Sequence, residues 1–285
     1  MDLRPDQGIR RHQRRLPKLK LDGRVTKGKR PARDLATVRR FEAAGFRAWP
    51  ATSVHYDGAW AVRLTGGHPA KRLNSVNPLD PFDDANLTER IARAARRFAA
   101  YGRPLTFRMS PLAAPAISDH LDALGWSRFA ESLVMRARLS DDMVREAMHQ
   151  IPLKDMGRFI GAAIAIRSLD PALRPGLSEV INTIQPEAGL FVLEEGATAI
   201  STAICVHDGD LAGLFEVATE ESRRGQGYGR RTLLSALKWA HGHGAREAWL
   251  QVEADNESAV GLYRSMGFAE VYRYHYRQPP EAGNA

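Results

Sequence analysis

The segment Arg223-Arg224-Gly225-Gln226-Gly227-Tyr228-Gly229-Arg230 constrains the fold more than any other stretch, because it places three glycines between two runs of different periodicity. Before it, Leu211-Ala-Gly-Leu-Phe-Glu-Val-Ala218 reads as a strand; after it, Leu233, Leu234, Leu237 and Ala240 recur at helical spacing. A strand, a glycine turn and a helix in this order make an anion cradle. Backbone N–H groups at a helix start have no intrahelical partner, and glycines let a ligand approach the backbone closely. Arg223, Arg224, Arg230 and Arg231 add positive charge, so a phosphate or pyrophosphate is the expected guest.

Spacing separates the known phosphate loops. A dinucleotide fingerprint G-x-G-x-x-G/A fails in both registers, since Arg230 and Thr232 stand where its third small residue belongs. A P-loop fails for want of a terminal Gly-Lys-Ser/Thr. What fits is R-x-x-G-x-G, read as Arg224-Gly225-Gln226-Gly227-Tyr228-Gly229. This resembles the acetyl-coenzyme A loop of the GNAT family of N-acetyltransferases. A second motif follows in the order that family uses. Ala248-Trp-Leu-Gln-Val-Glu253 reads as a buried strand, then Asn256 and Ser258 precede a helical run carrying Tyr263, which Gly267-Phe268 closes. Ser258 is the residue assigned to cap that helix. The resemblance covers residues 141 to 278.

The half before it reads as the same order of elements. Tyr56 to Leu64 reads as one strand leading into Thr65-Gly-Gly67, and Lys71 to Val76 as a second. Asn86 to Tyr101 is an amphipathic helix with Leu87, Ile91, Ala94, Ala95 and Phe98 on one face. A strand at Leu105–Met109 and a helix from Pro115 to Leu124 come next, and Leu124-Gly125-Trp126 falls where Met266-Gly267-Phe268 falls. This is an internal repeat. Leu121 stands in place of Tyr263 and no R-x-x-G-x-G precedes the Asn86 helix, so a second active site is not expected. The resemblance implies an α/β fold of two GNAT-like domains in tandem, each a mixed, mostly antiparallel sheet flanked by helices. The expected organisation is a basic tail over residues 1–40, a degenerate domain over 41–138 and a catalytic domain over 139–285. Residues Gly66 to Val76 either line a shared cleft or form a plain hairpin.

The formal net charge of +8 is concentrated in the tail, where residues 1–40 hold 14 Lys and Arg against 4 Asp. With few large apolar residues before Phe41, that tail is expected to be disordered in isolation. It suits a nucleic-acid arm, an arm for an anionic surface, or a solvated extension; the absence of aromatic residues among the charges favours the last. The single cysteine, Cys205, excludes internal disulfides and reads as an inert buried strand residue. No apolar run approaches a membrane span and no signal-peptide core is present, so the expectation is a cytoplasmic protein that does not engage membrane.

The resemblance also implies chemistry. Acetyl-CoA is the implied cofactor, lying in a gap between two splayed strands with its pantetheine amides on the backbone of Phe215–Thr219. Cofactor contacts are then expected from Val217, Ala218 and Thr219, from Arg224 to Arg230, and from Asn256, Ser258 and Tyr263. Direct attack by an amine needs no enzyme nucleophile, which leaves position and electrostatics to carry the rate. Tyr263 is the expected general acid, with core packing as its alternative. Glu216, alternating with Leu214 and Ala218 amid apolar neighbours, is the candidate base; a solvated strand residue or water-relayed deprotonation are the alternatives. In the branch that acetylates ribosomal-protein amino termini, a glutamate stands twelve positions before the tyrosine. Here that position is Gln251, which puts that branch's substrate in doubt. His241 and His243 do not share a helix face, and no zinc spacing exists, so no metal is expected. The acceptor is an amine on a small molecule or protein, its pocket built from Met143 to Ile184. A non-catalytic acyl-CoA-binding module, with the tail as a tether to nucleic acid, is the alternative reading from another class.

Overall fold

A computed structural model describes residues 34–280. In the first half, α1 (Leu35–Ala48) is followed by β1 (Ser53–Asp57), β2 (Trp60–Leu64), a short 3-10 turn (Lys71–Leu73) and β3 (Ser75–Pro78). Then come α2 (Leu87–Ala100), β4 (Phe107–Met109), α3 (Pro115–Ala123) and β5 (Ser127–Arg138). The second half has α4 (Asp141–Val144), α5 (Met156–Ile166), α6 (Arg174–Asn182), β6 (Glu187–Glu195), β7 (Thr198–Asp208) and β8 (Leu211–Thr219). It closes with α7 (Tyr228–Gly242), β9 (Glu247–Glu253), α8 (Glu257–Ser265) and β10 (Ala269–Gln278).

Ten strands form one sheet in the order β1-β2-β3-β4-β10-β5-β9-β8-β7-β6. The repeat expected from sequence is visible in the pairing. Each half runs four strands outward to an edge, with its third and fourth parallel: β3 with β4 at Val76↔Phe107, and β8 with β9 from Leu211↔Glu247 to Leu214↔Leu250. The fifth strands are exchanged. β10 pairs with β4 of the first half and β5 with β9 of the second, while β5 and β10 pair with each other at the centre. The expected boundary at 138/139 therefore falls at the end of a strand that is hydrogen-bonded on both sides to second-half strands.

Three local expectations are corrected. The predicted strand from Tyr56 to Leu64 is part of a hairpin, turned by Gly58-Ala59 and paired from Ser53↔Leu64 to Asp57↔Trp60. The second predicted strand begins only at Ser75, because Lys71–Leu73 coil into the 3-10 turn. Residues 35–40 belong to α1 and not to a disordered tail: Asp34 caps the helix by accepting from the Thr37 N–H at 3.2 Å, and Val38 and Phe41 are buried. The rest of the basic tail lies outside the described residues.

Both faces of the second-half sheet are covered. Leu233, Leu237 and Ala240 of α7 and Val260 of α8 pack on one side with Cys205, Leu214 and Leu250. Phe41 of α1, Phe159 of α5 and Leu177 and Val180 of α6 pack on the other with Ile204, Phe215 and Trp249. Trp49, just beyond α1, stacks on Phe215 with ring centroids 5.6 Å apart. In the first half, Phe98 of α2 and Ile117 and Leu121 of α3 join Trp60, Phe107 and Trp126, with both aromatic contacts to Phe107 edge-on. The opposite face of this half is polar. There Arg108 makes a bidentate pair with Glu42 of α1, which also accepts from the Tyr272 hydroxyl at 2.6 Å. Such a buried pair is tolerated because the carboxylate oxygens are fully engaged.

Candidate functional site

The site forms where β8 and β9 part. Their parallel pairing stops at Leu214↔Leu250, although β8 continues to Thr219. A bulge in β8 widens the split. Glu216 and Val217 together oppose Ala203 of β7, and Glu216 takes a positive φ of 48°. The Glu216 carbonyl is held by the Thr202 hydroxyl at 3.1 Å. Beyond the bulge, the edge of β8 facing the gap has no partner strand, leaving backbone donors and acceptors open to a ligand.

The glycine segment forms the turn between β8 and α7. Gly225 and Gly227 have φ of +75° and +85°, a region that side-chain-bearing residues enter only with strain. Gly227 is the N-cap of α7 and no side chain caps the helix, so its first N–H groups face outward at the positive end of the helix dipole. That is the donor set a pyrophosphate requires.

A cleft of about 620 Å³ runs from this turn along β8 to α8. Val217, Ala218 and Thr219 line it from β8, and Asn256, Ser258 and Tyr263 from the opposite wall. Between them stand Arg224, Gly225, Gly227, Tyr228, Gly229 and Arg230. Of the sequence-predicted cofactor residues only Gln226 is outside this lining; its side-chain amide donates back to the Ser222 carbonyl at 3.1 Å. The four arginines divide. Arg224 and Arg230 face the cleft, whereas Arg223 also pairs with Glu195 at 3.0 Å, and Arg231 lies against the Tyr228 ring.

Asn256, not Ser258, caps α8: its side-chain oxygen accepts from the Ala259 N–H at 3.1 Å. The Asn256 amide nitrogen remains for a ligand, and Ser258, one residue inside the helix, lines the cleft. Tyr263 is 6% exposed, packs on Phe268, and its hydroxyl has no hydrogen-bond partner among the described residues. It is thus both a core residue and a cleft residue. Burial pushes the phenol up to about 12, opposed in part by the charge of Arg72. It therefore holds its proton throughout the neutral range.

Glu216 is not amid apolar neighbours, as the strand pattern suggests. It is not among the residues that line the cleft; its carboxylate is ion-paired with Arg167 at the end of α5. Arg167 itself lines the cleft, as does Ile166. Gln251 accepts from the Tyr274 hydroxyl at 2.8 Å. Cys205 is fully buried in β7, and burial raises its thiol well above the usual range, so it is inert.

Sequence reasoning missed the residues that reach the site from other elements. Arg167 carries no local signal, since only tertiary packing brings α5 to the bulge. His68 and Arg72 of the first half do not line the cleft, but their charges reach residues around it. Of the two readings of Gly66–Val76, the hairpin connection is the one observed, since it joins the antiparallel β2 and β3 and none of it lines the cleft; its tip docks on the second half, where the Gly67 backbone packs so tightly on Gly176 of α6 that a Cβ there would lie 1.8 Å from the Gly67 oxygen. His68 is partly buried, which lowers its pKa, and it lies within the electrostatic reach of Glu216, Arg167 and Arg72.

A family model described as "Probable histone acetyltransferase Rv0428c C-terminal" matches residues 35–277. The uncharacterized N-acetyltransferase YobR of Bacillus subtilis is 26% identical over 249 residues, covering 84% of this chain and 98% of its own. Among solved structures, a GCN5-related N-acetyltransferase from Kribbella flavida superposes with a TM-score of 0.63 at 18% identity, over 88% of this chain and 98% of that one. A tandem GNAT protein from the clavulanic acid biosynthesis pathway superposes with a TM-score of 0.57 at 15% identity, over 86% and 88%. The splayed strands, the glycine cradle and these likenesses agree, and the chain belongs to the Rv0428c C-terminal family of GNAT acetyltransferases.

Proposed function

We propose that the protein transfers an acetyl group from acetyl-CoA to a primary amine, with a single catalytic site in the cleft between β8, α7 and α8. The observation that carries this reading is the uncapped α7 N-terminus behind Gly225 and Gly227, facing a strand gap bordered by Tyr263. The residues fit the cofactor. The N–H groups from Gln226 to Arg230 would take the pyrophosphate, Arg224 and Arg230 would screen its charge, and the free edge of Val217–Thr219 would pair with the pantetheine amides. Asn256 would donate its side-chain amide to the cofactor, and Ser258 its hydroxyl.

Bound acetyl-CoA supplies an activated thioester carbonyl. The chain's part is to hold that carbonyl against the acceptor amine and to manage two protons. Tyr263, protonated because it is buried, gives its phenolic proton to the departing sulfur; a thiol of pKa near 8.5 needs only modest help. Glu216 accepts the proton from the amine, directly or through water. Its link to Arg167 fixes the carboxylate beside the cleft, and Arg167 must yield or a water must bridge for transfer to occur. The first half, lacking both a glycine loop and a tyrosine at Leu121, shapes the acceptor side. Thermal shift with coenzyme A, followed by thiol release over an amine panel, tests the reading. No coenzyme A binding, or binding without amine-dependent thiol release, would sink it.

A further inference from the structure

The loop joining β2 to β3 is built rigidly and presents one uncommitted cation. The Asn74 side chain closes it, accepting from the Thr65 N–H at 2.8 Å and donating to the carbonyls of His68 at 2.7 Å and Ala70 at 3.1 Å. Gly176 clamps its tip through the Gly67 backbone, and Arg63 donates to the Arg72 carbonyl at 2.9 Å. Arg72 is thereby placed near Phe215 of β8, the strand whose Val217–Thr219 line the cleft. The residue is half-buried and its guanidinium has no hydrogen bond or ion pair among the described residues; the guanidinium carbon lies 5.9 Å from the centroid of the Phe215 ring.

Charge around Arg72 is unbalanced. It lines a small recess beside Phe215 of β8 with Arg63, Arg108 and Glu42, and Glu42 is the only carboxylate in that lining. Both oxygens of Glu42 are already taken by Arg108 and Tyr272. Arg63, buried and lowered to about 9 by burial and by Arg108, still carries its charge at neutral pH yet donates only to the carbonyls of Trp49 and Arg72. Of the other cations nearby, Arg167 pairs with Glu216 and Lys71 with Glu253, and Arg103 donates to the carbonyls of Thr65 and Gly66. Withdrawing a guanidinium from water without an anion is costly, and its planar fork matches carboxylate and phosphate oxygens.

We infer that Arg72 receives a carboxylate or phosphate group carried by the acceptor, so that the first half supplies an anion subsite for the second half's reaction. The acceptor class is then an amine that also bears an anionic group. The inference rests on the acetyl-CoA reading of the cleft. Arg72 is a specificity residue in this scheme, binding acceptor without entering the proton transfers.

The test first saturates the protein with coenzyme A, which fills the glycine cradle, and then titrates acetate and inorganic phosphate against chloride of equal ionic strength. At about ten times its Kd, the preferred anion is expected to raise the melting temperature by about 2–4 °C. Arg72→Gln should abolish that rise and Arg72→Lys should keep part of it, with coenzyme A affinity unchanged in both. The probe that produces the rise distinguishes carboxylate from phosphate. In transfer assays comparing glycine with glycinamide and ethanolamine phosphate with ethanolamine, Arg72→Gln should raise KM about tenfold for the preferred anionic member alone. An anion response that survives Arg72→Gln, no response in the wild type, or an equal loss of kcat on charged and neutral acceptors overturns the subsite. Failure of coenzyme A itself to bind overturns the cleft reading, and the subsite with it.

Discussion

Leu121 and Tyr263 accept the same hydrogen bond in the two halves of the molecule. The Trp126 N–H reaches the Leu121 carbonyl at 3.0 Å, and the Phe268 N–H reaches the Tyr263 carbonyl at 3.0 Å. Each bond closes a helix end against an aromatic residue that begins the return to the exchanged strand. The backbone device is duplicated, but only the second copy carries a phenol. Position 121 is filled by a buried aliphatic side chain within the α2–α3 core, so the first copy keeps the packing and lacks the phenol.

Tyr263→Phe retains the ring that packs on Phe268 and removes the proton donor. Turnover is expected to fall about 10²-fold with coenzyme A affinity unchanged, measured by steady-state thiol release and by calorimetry. Because burial raises the phenol from 10 to about 12, its ionisation should not depress wild-type turnover up to pH 10. The sign for stability is that the folded protein holds this proton more tightly than the unfolded chain. Folding stability therefore declines between pH 10 and 12 as the unfolded phenol ionises first. A rate loss at pH 10 absent from Tyr263→Phe would contradict the assignment.

Gly227→Val forces a β-branched residue into φ +85° at the cap of α7. The strain should cost about 1–2 kcal/mol, and the shifted N–H groups should lose coenzyme A binding outright. Thermal melts with and without coenzyme A read both effects. A ligand-induced shift equal to that of the wild type would remove the cradle from the site.

Glu216→Gln keeps shape at the bulge and removes the proton acceptor. The expected result is a kcat/KM loss of about 10²-fold near neutral pH, recovered in part as alkaline conditions deprotonate the amine unaided. Superimposable pH profiles for the two proteins would leave solvent as the acceptor of that proton. Arg167→Met is a companion variant: releasing the carboxylate should leave cofactor affinity nearly unchanged and alter the profile.

Deletion of residues 1–33 should leave the melting temperature unaltered, since Asp34 and α1 remain. Deletion of residues 1–48 removes the buried Val38, Phe41 and Glu42, and should cost several kcal/mol from the apolar groups alone. The single change Glu42→Gln strands the buried Arg108 charge and should cost about 3 kcal/mol. Chemical denaturation of the three variants measures the ordering, which would be wrong if the first and second truncations melted together.

What the sequence by itself determined is what local chemistry encodes. Gly225 and Gly227 announce a turn with positive φ ahead of a helix; Asn256, Tyr263 and Gly267-Phe268 stand at spacings a strand–helix–strand unit imposes; and the match of Leu124-Gly125-Trp126 to Met266-Gly267-Phe268 reveals the repeat. These features lie within one or two elements and need no distant partner. Tertiary structure alone decided the rest. The exchange of β5 and β10 turns two repeats into one sheet, and nothing in either strand's pattern says which neighbour it will pair with, because alternation fixes a face and not a partner. The Glu216 environment was misjudged for the same reason, since the bulge rotates the residue out of its strand alternation and α5 brings Arg167 from another part of the chain. Arg72 is the extreme case. In the sequence it is one basic residue in a loop, and it comes beside Phe215 of the second half where Gly67 and Gly176 lack the side chains that would hold the two halves apart.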